Sequence, residues 1–454
     1  MAVKSTSTVA RLSAAFLAGT FLAVTAAPLL PGVQGTAEAF QRRGDDDEKQ
    51  QRTKRSQTLS QALYEKVSKA NEKWEEGEKQ EAREIMDDLL EDKEDLSDYE
   101  RAFVYSTLGN WAYSEDRVDQ TIQYFERVRD QTDAPQSFLD QATFNLAQLY
   151  MGEEKPRKAV EYMEAYLAQN KAGDASVTPH IILGQGYYQL ENYDKGIENI
   201  EEAIAIARGL NQTVRKNWWQ LLRAMYFQKD DYEKVREILE IMVVEYNDPS
   251  DWRQLSAIYG ELDRRREQLA ALEVAYKQGF LTKESHLKNI AQFYMYFEVP
   301  IKATWVLEKG MEEGKIEKNA DNYELLGRAY LMAQETDDAL EPMRRAAQAK
   351  EESDAWQTYG QVLMGEQKWE ESAEALEKAI ALGGLDDPDS VRMVLGSAYV
   401  KLYEFDKAEE VLKEARKNED YRKRANQWLA HVKEERERAK FIDKHLGTSY
   451  VSNQ

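Results

Sequence analysis

The chain has 454 residues and no cysteine. Disulfides, zinc thiolates, thiol catalysis and a lipid anchor on a cysteine are therefore excluded together. Proline and glycine are scarce, at nine and 23 residues, so little interrupts helix. The only histidines are His180, His286, His431 and His445. His180 stands at a core register position, and His431 lies one turn from Glu434, which alone makes no site. Zinc or iron needs convergent ligands, so no metal and no other cofactor is expected. Basic residues are outnumbered, 61 Lys and Arg against 83 Asp and Glu, for a net charge of −22. Such a surface repels nucleic acid and anionic lipid and favours basic or neutral peptide partners.

What the chain does have is a repeated pattern of helix-forming residues. Residues 353–420 fall into two rows in register with each other. In the first row Trp356, Tyr359, Gly360 and Leu363 mark one helix face, and Ser372, Leu376 and Ala379 mark a second. In the next row Leu395, Gly396 and Tyr399 are followed by Ala408, Leu412 and Ala415. Large residues at i, i+3 and i+7 face one way, and a small residue sits where a neighbouring helix comes close. Each row is one helical hairpin. Upstream, the small position recurs as Gly109, Ala147, Gly184, Ser256, Ala291 and Gly327, with Arg223 as the exception. The first hairpin has Asn71 there and reads as the N-terminal cap, giving about ten hairpins in all.

The pattern resembles the tetratricopeptide repeat, a helix-turn-helix unit of about 34 residues. The resemblance implies an all-α superhelical solenoid of about ten hairpins with a C-terminal capping helix. It also implies a concave ligand surface, formed by first-helix positions one residue after the small position and three further on. The former are Asn110, Gln148, Gln185, Gln292, Arg328 and Gln361; the latter are Tyr113, Met151, Tyr188, Phe227, Met295, Leu331 and Met364. Amides can hydrogen-bond an extended peptide backbone, and aromatic or Met neighbours can take up its apolar side chains. The same Tyr and Met residues also suit ordinary packing between first helices. Gly109, Gly184, Gly327, Gly360 and Gly396 read as architecture. The Lys and Asn pair of a chaperone-tail carboxylate clamp occurs in no unit, the nearest being Lys288 with Gln292.

Five segments are expected. Residues 1–39 read as a secretory signal peptide, with Lys4 and Arg11 before an apolar run and small residues around a cleavage point before Phe40. An uncleaved anchor would need about 20 apolar residues, and this run is shorter and ends at Pro28. Residues 40–57 read as a disordered linker, 58–419 as the repeat array, 420–442 as a capping helix and 443–454 as a flexible tail. No segment after the leader could span a bilayer.

No catalytic constellation stands out, and the chain is read as a non-enzyme. Gly184-Gln185-Gly186 lacks the strand and third glycine of a dinucleotide loop. Asp386, Asp387 and Asp389 lack the alternating oxygens of a calcium loop and read as helix capping beside Pro388. Asn211-Gln212-Thr213 is a glycosylation sequon by pattern only.

Residues 275–429 carry a narrower resemblance. Val299-Pro300, Lys302-Ala303, Val306-Leu307-Glu308-Lys309-Gly310 and Gln427-Trp428-Leu429 are similar to tetratricopeptide proteins associated with TonB systems of Gram-negative bacteria. That resemblance implies a periplasmic accessory of energy-coupled uptake, holding a TonB-type transducer, its motor proteins or a receptor. A scaffold for polysaccharide export or cell-wall synthesis is the alternative.

Overall fold

The computed structural model describes residues 59–91, 96–170 and 175–446. The expected leader and linker, and the end of the expected tail, lie outside the described residues. Two compact units divide after Ile238. The first contains α1 (Gln61–Glu75) and α2 (Lys79–Glu91), α3 (Asp98–Ser114) and α4 (Val118–Arg129), α5 (Gln136–Gly152) and α6 (Pro156–Gln169), α7 (Val177–Gln189) and α8 (Tyr193–Gly209), then α9 (Lys216–Gln228). The boundary falls within α10 (Tyr232–Glu245). The second unit continues with α11 (Pro249–Glu261) and α12 (Arg265–Lys277), α13 (Glu284–Tyr296) and α14 (Pro300–Glu312), α15 (Ala320–Met332) and α16 (Thr336–Lys350). It ends with α17 (Ser353–Gly365) and α18 (Trp369–Leu382), α19 (Pro388–Lys401) and α20 (Phe405–Ala415), and the single helix α21 (Glu419–Leu446). Within each unit the helices follow one another as the hairpins of a helical solenoid, as the periodicity predicts, and the second unit ends on a single helix.

Within a hairpin the small residue does the work expected of it. A Cβ on Gly360 would lie 2.8 Å from Leu376, on Gly327 2.6 Å from Met343, on Gly396 2.7 Å from Leu412 and on Gly109 3.1 Å from Phe125. A Cβ on Gly184 would collide with Ile200. Two Ser residues reinforce the same contact. Ser372 Oγ donates to the Gly360 carbonyl at 2.8 Å, and Ser256 Oγ donates to the Gln268 carbonyl at 3.2 Å.

After the first hairpin, which turns at Gly77, the turn inside each hairpin has a fixed conformation that the sequence did not advertise. Seven residues after the small position, φ is positive at Asp116, Glu154, Glu191, Asp230, Asp263, Glu298, Gln334, Gln367 and Tyr403. None of these is glycine. The following N–H closes the helix: Asn192 donates to the Tyr187 carbonyl at 2.9 Å, and Glu404 to the Tyr399 carbonyl at 2.9 Å. Such bonds satisfy carbonyls that a helix end leaves open.

Successive hairpins are joined by a second repeated device. A tyrosine three residues after the small position donates to a glutamate on the second helix of the preceding hairpin. In the first unit these pairs are Tyr150 with Glu126 at 2.6 Å, Tyr187 with Glu164, and Tyr226 with Glu201 at 2.7 Å. In the second unit they are Tyr259 with Glu240 at 2.6 Å, Tyr294 with Glu273 at 2.9 Å, Tyr330 with Glu308, and Tyr399 with Glu377. Eight residues after four of these tyrosines, a lysine covers the ring: Lys158 at 4.7 Å, Lys195 at 4.9 Å, Lys302 at 5.2 Å and Lys407 at 5.3 Å. Each of these seven seams thereby joins apolar packing to a charge-assisted hydrogen bond, whereas α3 and α17 carry Ala112 and Leu363 at the tyrosine position.

The ends are closed differently. Trp74 of α1 stacks on Trp111 of α3 with centroids 4.4 Å apart and planes 2° from parallel. Lys79 and Arg83 cover the Trp74 ring, at 5.0 and 5.2 Å from its centroid. Ser60 caps α1, and its N–H donates to Glu100 at 2.9 Å. Burial pushes the Glu100 carboxyl up, but backbone bonds from Ser60 and Ser97 outweigh it and hold the group below the usual carboxylate range. At the other end α21 packs on α20 and α19 through buried Ala425, Val432 and Ala439. This helix continues to Leu446, past the expected start of a loose tail at Asp443. Buried Ala439 and the ion pairs of Arg438 with Glu435 and Lys440 with Glu437 carry it onward.

The acidic turns serve as caps. Asp248 accepts from the Ser250 N–H at 2.7 Å. Asp387 accepts from the Ser390 N–H at 3.0 Å and from the Tyr421 hydroxyl, while Asp389 pairs with Arg392 at 2.6 Å. Among the described residues no group of three or more His, Cys, Asp or Glu could hold a metal ion, and no helix is long and apolar enough to cross a membrane.

Candidate first-helix groove

The residues of the expected groove fall on the first helices of both units, and each unit is considered by itself. In the first unit Asn110 and Tyr113 lie on α3, Gln148 and Met151 on α5, Gln185 and Tyr188 on α7, and Phe227 on α9; all are half-buried. Their register, one and four residues after the small position, puts each pair on one helix face. α5 touches α7, and α7 touches α9. Gln148, Met151, Gln185, Tyr188 and Phe227 therefore line adjoining faces of three helices.

The two rows differ in how far the protein already uses them. Met151 packs against the clusters around Leu146 and Met163, and Tyr113 packs against the first of these. Tyr188 meets Tyr193 with centroids 6.0 Å apart, and Phe227 meets Tyr232 at 5.7 Å. Burial, then the neighbouring Tyr193, pushes the Tyr188 phenol up. These side chains are half floor and half wall. The amides are less committed: Gln148 and Gln185 make no side-chain hydrogen bond among the described residues, and the side-chain oxygen of Asn110 has no partner.

In the second unit Gln292, Arg328 and Gln361 are exposed on α13, α15 and α17. Arg328 lies 3.8 Å from Glu324 of its own helix. Met295 and Leu331 are half-buried and belong to the core around Leu287 and Leu326, and Met364 packs against the cluster around Leu395. The apolar groups that do stand in solvent are the next residues along, Tyr296 at 70% exposure and Met332 at 50%. Sequence reasoning passed over both. Their signal was identical spacing, five residues after Ala291 and Gly327.

Gly184 and Gly186 lie inside α7, and a Cβ on Gly186 would meet Val160 of α6 at 2.5 Å. His180 Nδ1 lies 3.1 Å from Asn199 Oδ1, and His445 Nδ1 lies 2.7 Å from the Phe441 carbonyl. Burial holds the His286 imidazole below its ordinary value, with Arg253 and Lys283 acting in the same direction.

Comparison with known proteins agrees with this architecture at the C-terminal end. Residues 360–426 match the family model of the tetratricopeptide repeat. Among solved structures, MamA aligns at 17% identity over 39% of this chain and 91% of its own, with a TM-score of 0.33. YrrB, described as a TPR protein with an unusual peptide-binding site, aligns at 17% identity over 44% and 99%, with a TM-score of 0.34. The Naa15/Naa10 complex bound to HypK-THB aligns at 12% identity over 74% of this chain and 51% of its own, with a TM-score of 0.41. No curated protein sequence matches the chain.

Proposed function

With tetratricopeptide-type hairpins as the premise, we propose that the chain is a non-catalytic scaffold that holds a protein partner along its first helices in an extended segment. The observation that carries this is the row of amides at Gln148 and Gln185, which lack internal hydrogen bonds and stand beside half-buried Met151 and Tyr188. A peptide backbone offers the donors and acceptors these amides need, and its side chains can pack on the Met and Tyr. Weak contacts repeated on successive hairpins add up through effective concentration, so positioning requires no chemistry.

The partner in this reading is a TonB-type transducer, one of its motor proteins or an outer-membrane receptor, and the site of action is the periplasm of a Gram-negative bacterium. Support comes from the leader-like residues 1–39 and from the wording of residues 275–429, including Lys302-Ala303 and Gln427-Trp428-Leu429. Crosslinking capture from periplasm and membranes tests it. Enrichment of a transducer, motor or receptor protein, with poor growth of a deletion strain on scarce iron, is expected. Enrichment of polysaccharide-export or cell-wall enzymes, with normal growth, would move the scaffold to envelope assembly.

A further inference from the structure

The first unit carries a feature that composition makes improbable. Residues 102–114, 141–152 and 175–190, which include most of α3, α5 and α7, contain no Asp, Glu, Lys or Arg in a chain with 32% charged residues. On α9 the charged residues are Lys216 and Arg223. Arg223 stands at the small position, and Lys216, like Asp140 on α5, stands seven residues before it, so these half-buried charges border the outward row without belonging to it, and Lys216 and Arg223 already have partners. That row comprises, on each helix, the residues six and three before the small position and one, four and five after it. Every one of these on α3, α5, α7 and α9 is uncharged, and none is buried. In the second unit the equivalent positions carry charge: Arg253 and Glu261 on α11, Lys288 on α13, and Asp321, Glu324 and Arg328 on α15.

We infer that the outward face of α3, α5, α7 and α9 selects an extended peptide segment without charged side chains. This rests on the reading that first helices hold a peptide, and it states which peptide. A ligand charge laid on this row would lose hydration and meet no opposite charge within the row, which is costly. Main-chain groups would meet amides that offer both donor and acceptor. Beneath this face the buried side-chain oxygens of Asn110 and Asn217 have no partner. With no ion pairs formed, binding is insensitive to salt. A basic ligand drawn instead by the net charge of −22 would be released as salt screens the attraction.

A phage-displayed library of random peptides about twelve residues long, roughly 40 Å when extended, is selected on the full chain. Enriched sequences are expected to be depleted in Asp, Glu, Lys and Arg. Their affinities should agree within about twofold between about 50 and about 500 mM NaCl. A central Lys or Glu placed in an enriched peptide should weaken it by about tenfold or more. The double variant Gln148→Glu, Gln185→Glu should select Lys- or Arg-bearing sequences and acquire salt dependence. Enrichment of basic peptides by the unaltered chain, lost at high salt yet altered by that double variant, would overturn the inference and leave the groove reading intact. Absence of any enriched peptide would overturn both, and retardation on a neutral glucan column would then give this face to carbohydrate.

Discussion

The Tyr294 hydroxyl on α13 donates to Glu273 on α12 at 2.9 Å, so a phenol on one hairpin is fastened to a carboxylate on the hairpin before it. Lys302 reaches the same oxygen at 2.8 Å and holds the Glu273 carboxyl below its ordinary value, with help from the phenol. Tyr294→Phe keeps the ring in place and removes the bond. A hydrogen bond to a charged acceptor contributes about 1.5–3 kcal/mol, and the partly exposed site lowers that to about 1 kcal/mol. The urea midpoint should fall with little change in slope. An unchanged midpoint would show that the seam is held by apolar packing alone.

The same bonds set the pH limits of the fold. Burial first, then the facing glutamate, raises the phenols of Tyr150, Tyr226, Tyr294, Tyr330 and Tyr399 above their ordinary value. Their contribution is complete below the unfolded value of about 10 and is lost as pH rises toward the folded values. Phenolate absorbance and loss of helical circular dichroism should therefore rise together above about pH 10. On the acid side, Tyr187 and then Lys195 lower the Glu164 carboxyl, and Lys302 and then Tyr294 lower that of Glu273. That contribution is complete above about pH 4.3 and is lost as pH falls through the folded values. Phenolate appearing well before any loss of helicity would refute the alkaline half.

Gly360→Leu tests the close approach of α17 and α18. A Cβ there would lie 2.8 Å from two atoms of Leu376 and 3.3 Å from Ala375. Overpacking of this kind costs about 1–3 kcal/mol. Adding Leu376→Ala should recover part of the loss by vacating the space, which a double-mutant cycle would report. Melting like that of the unaltered chain would break the register drawn for this hairpin.

The register was legible because a small residue at a close approach has few alternatives, and it placed Gly109, Gly184, Gly327, Gly360 and Gly396 where the helices touch. The tyrosines were legible only as core. Their glutamates lie 19 to 25 residues upstream on another hairpin and look like any solvated helix face. A spacing of eight did mark them, in Tyr150 with Lys158 and Tyr294 with Lys302. The groove was legible as a face but not in depth. Met295 and Tyr296 are about 100° apart around one helix, and which of them sinks into the core depends on the neighbouring hairpin. The absence of charge from residues 102–114, 141–152 and 175–190 was visible in the sequence, but it becomes meaningful only once adjoining helices place those residues on one surface.

Glu191→Gly tests the left-handed turn. Glu191 has φ of 57°, a conformation that costs an ordinary L-residue about 1–2 kcal/mol. Glycine adopts it freely but loses more backbone entropy on folding, so the net gain should be about 0.5–1 kcal/mol. Leu190→Gly, one residue earlier at φ of −87°, should lower stability instead. If both changes destabilise, the turn is not strained.

The parallel indoles of Trp74 and Trp111 couple the optical transitions of α1 and α3. Two indoles fixed face to face at 4.4 Å hold each other in one asymmetric surrounding and so contribute a near-ultraviolet circular-dichroism band that depends on their contact. The band disappears when the N-terminal hairpin lifts away, even while the other hairpins remain helical. Fraying of that end can thus be followed separately from melting of the rest, with no label added.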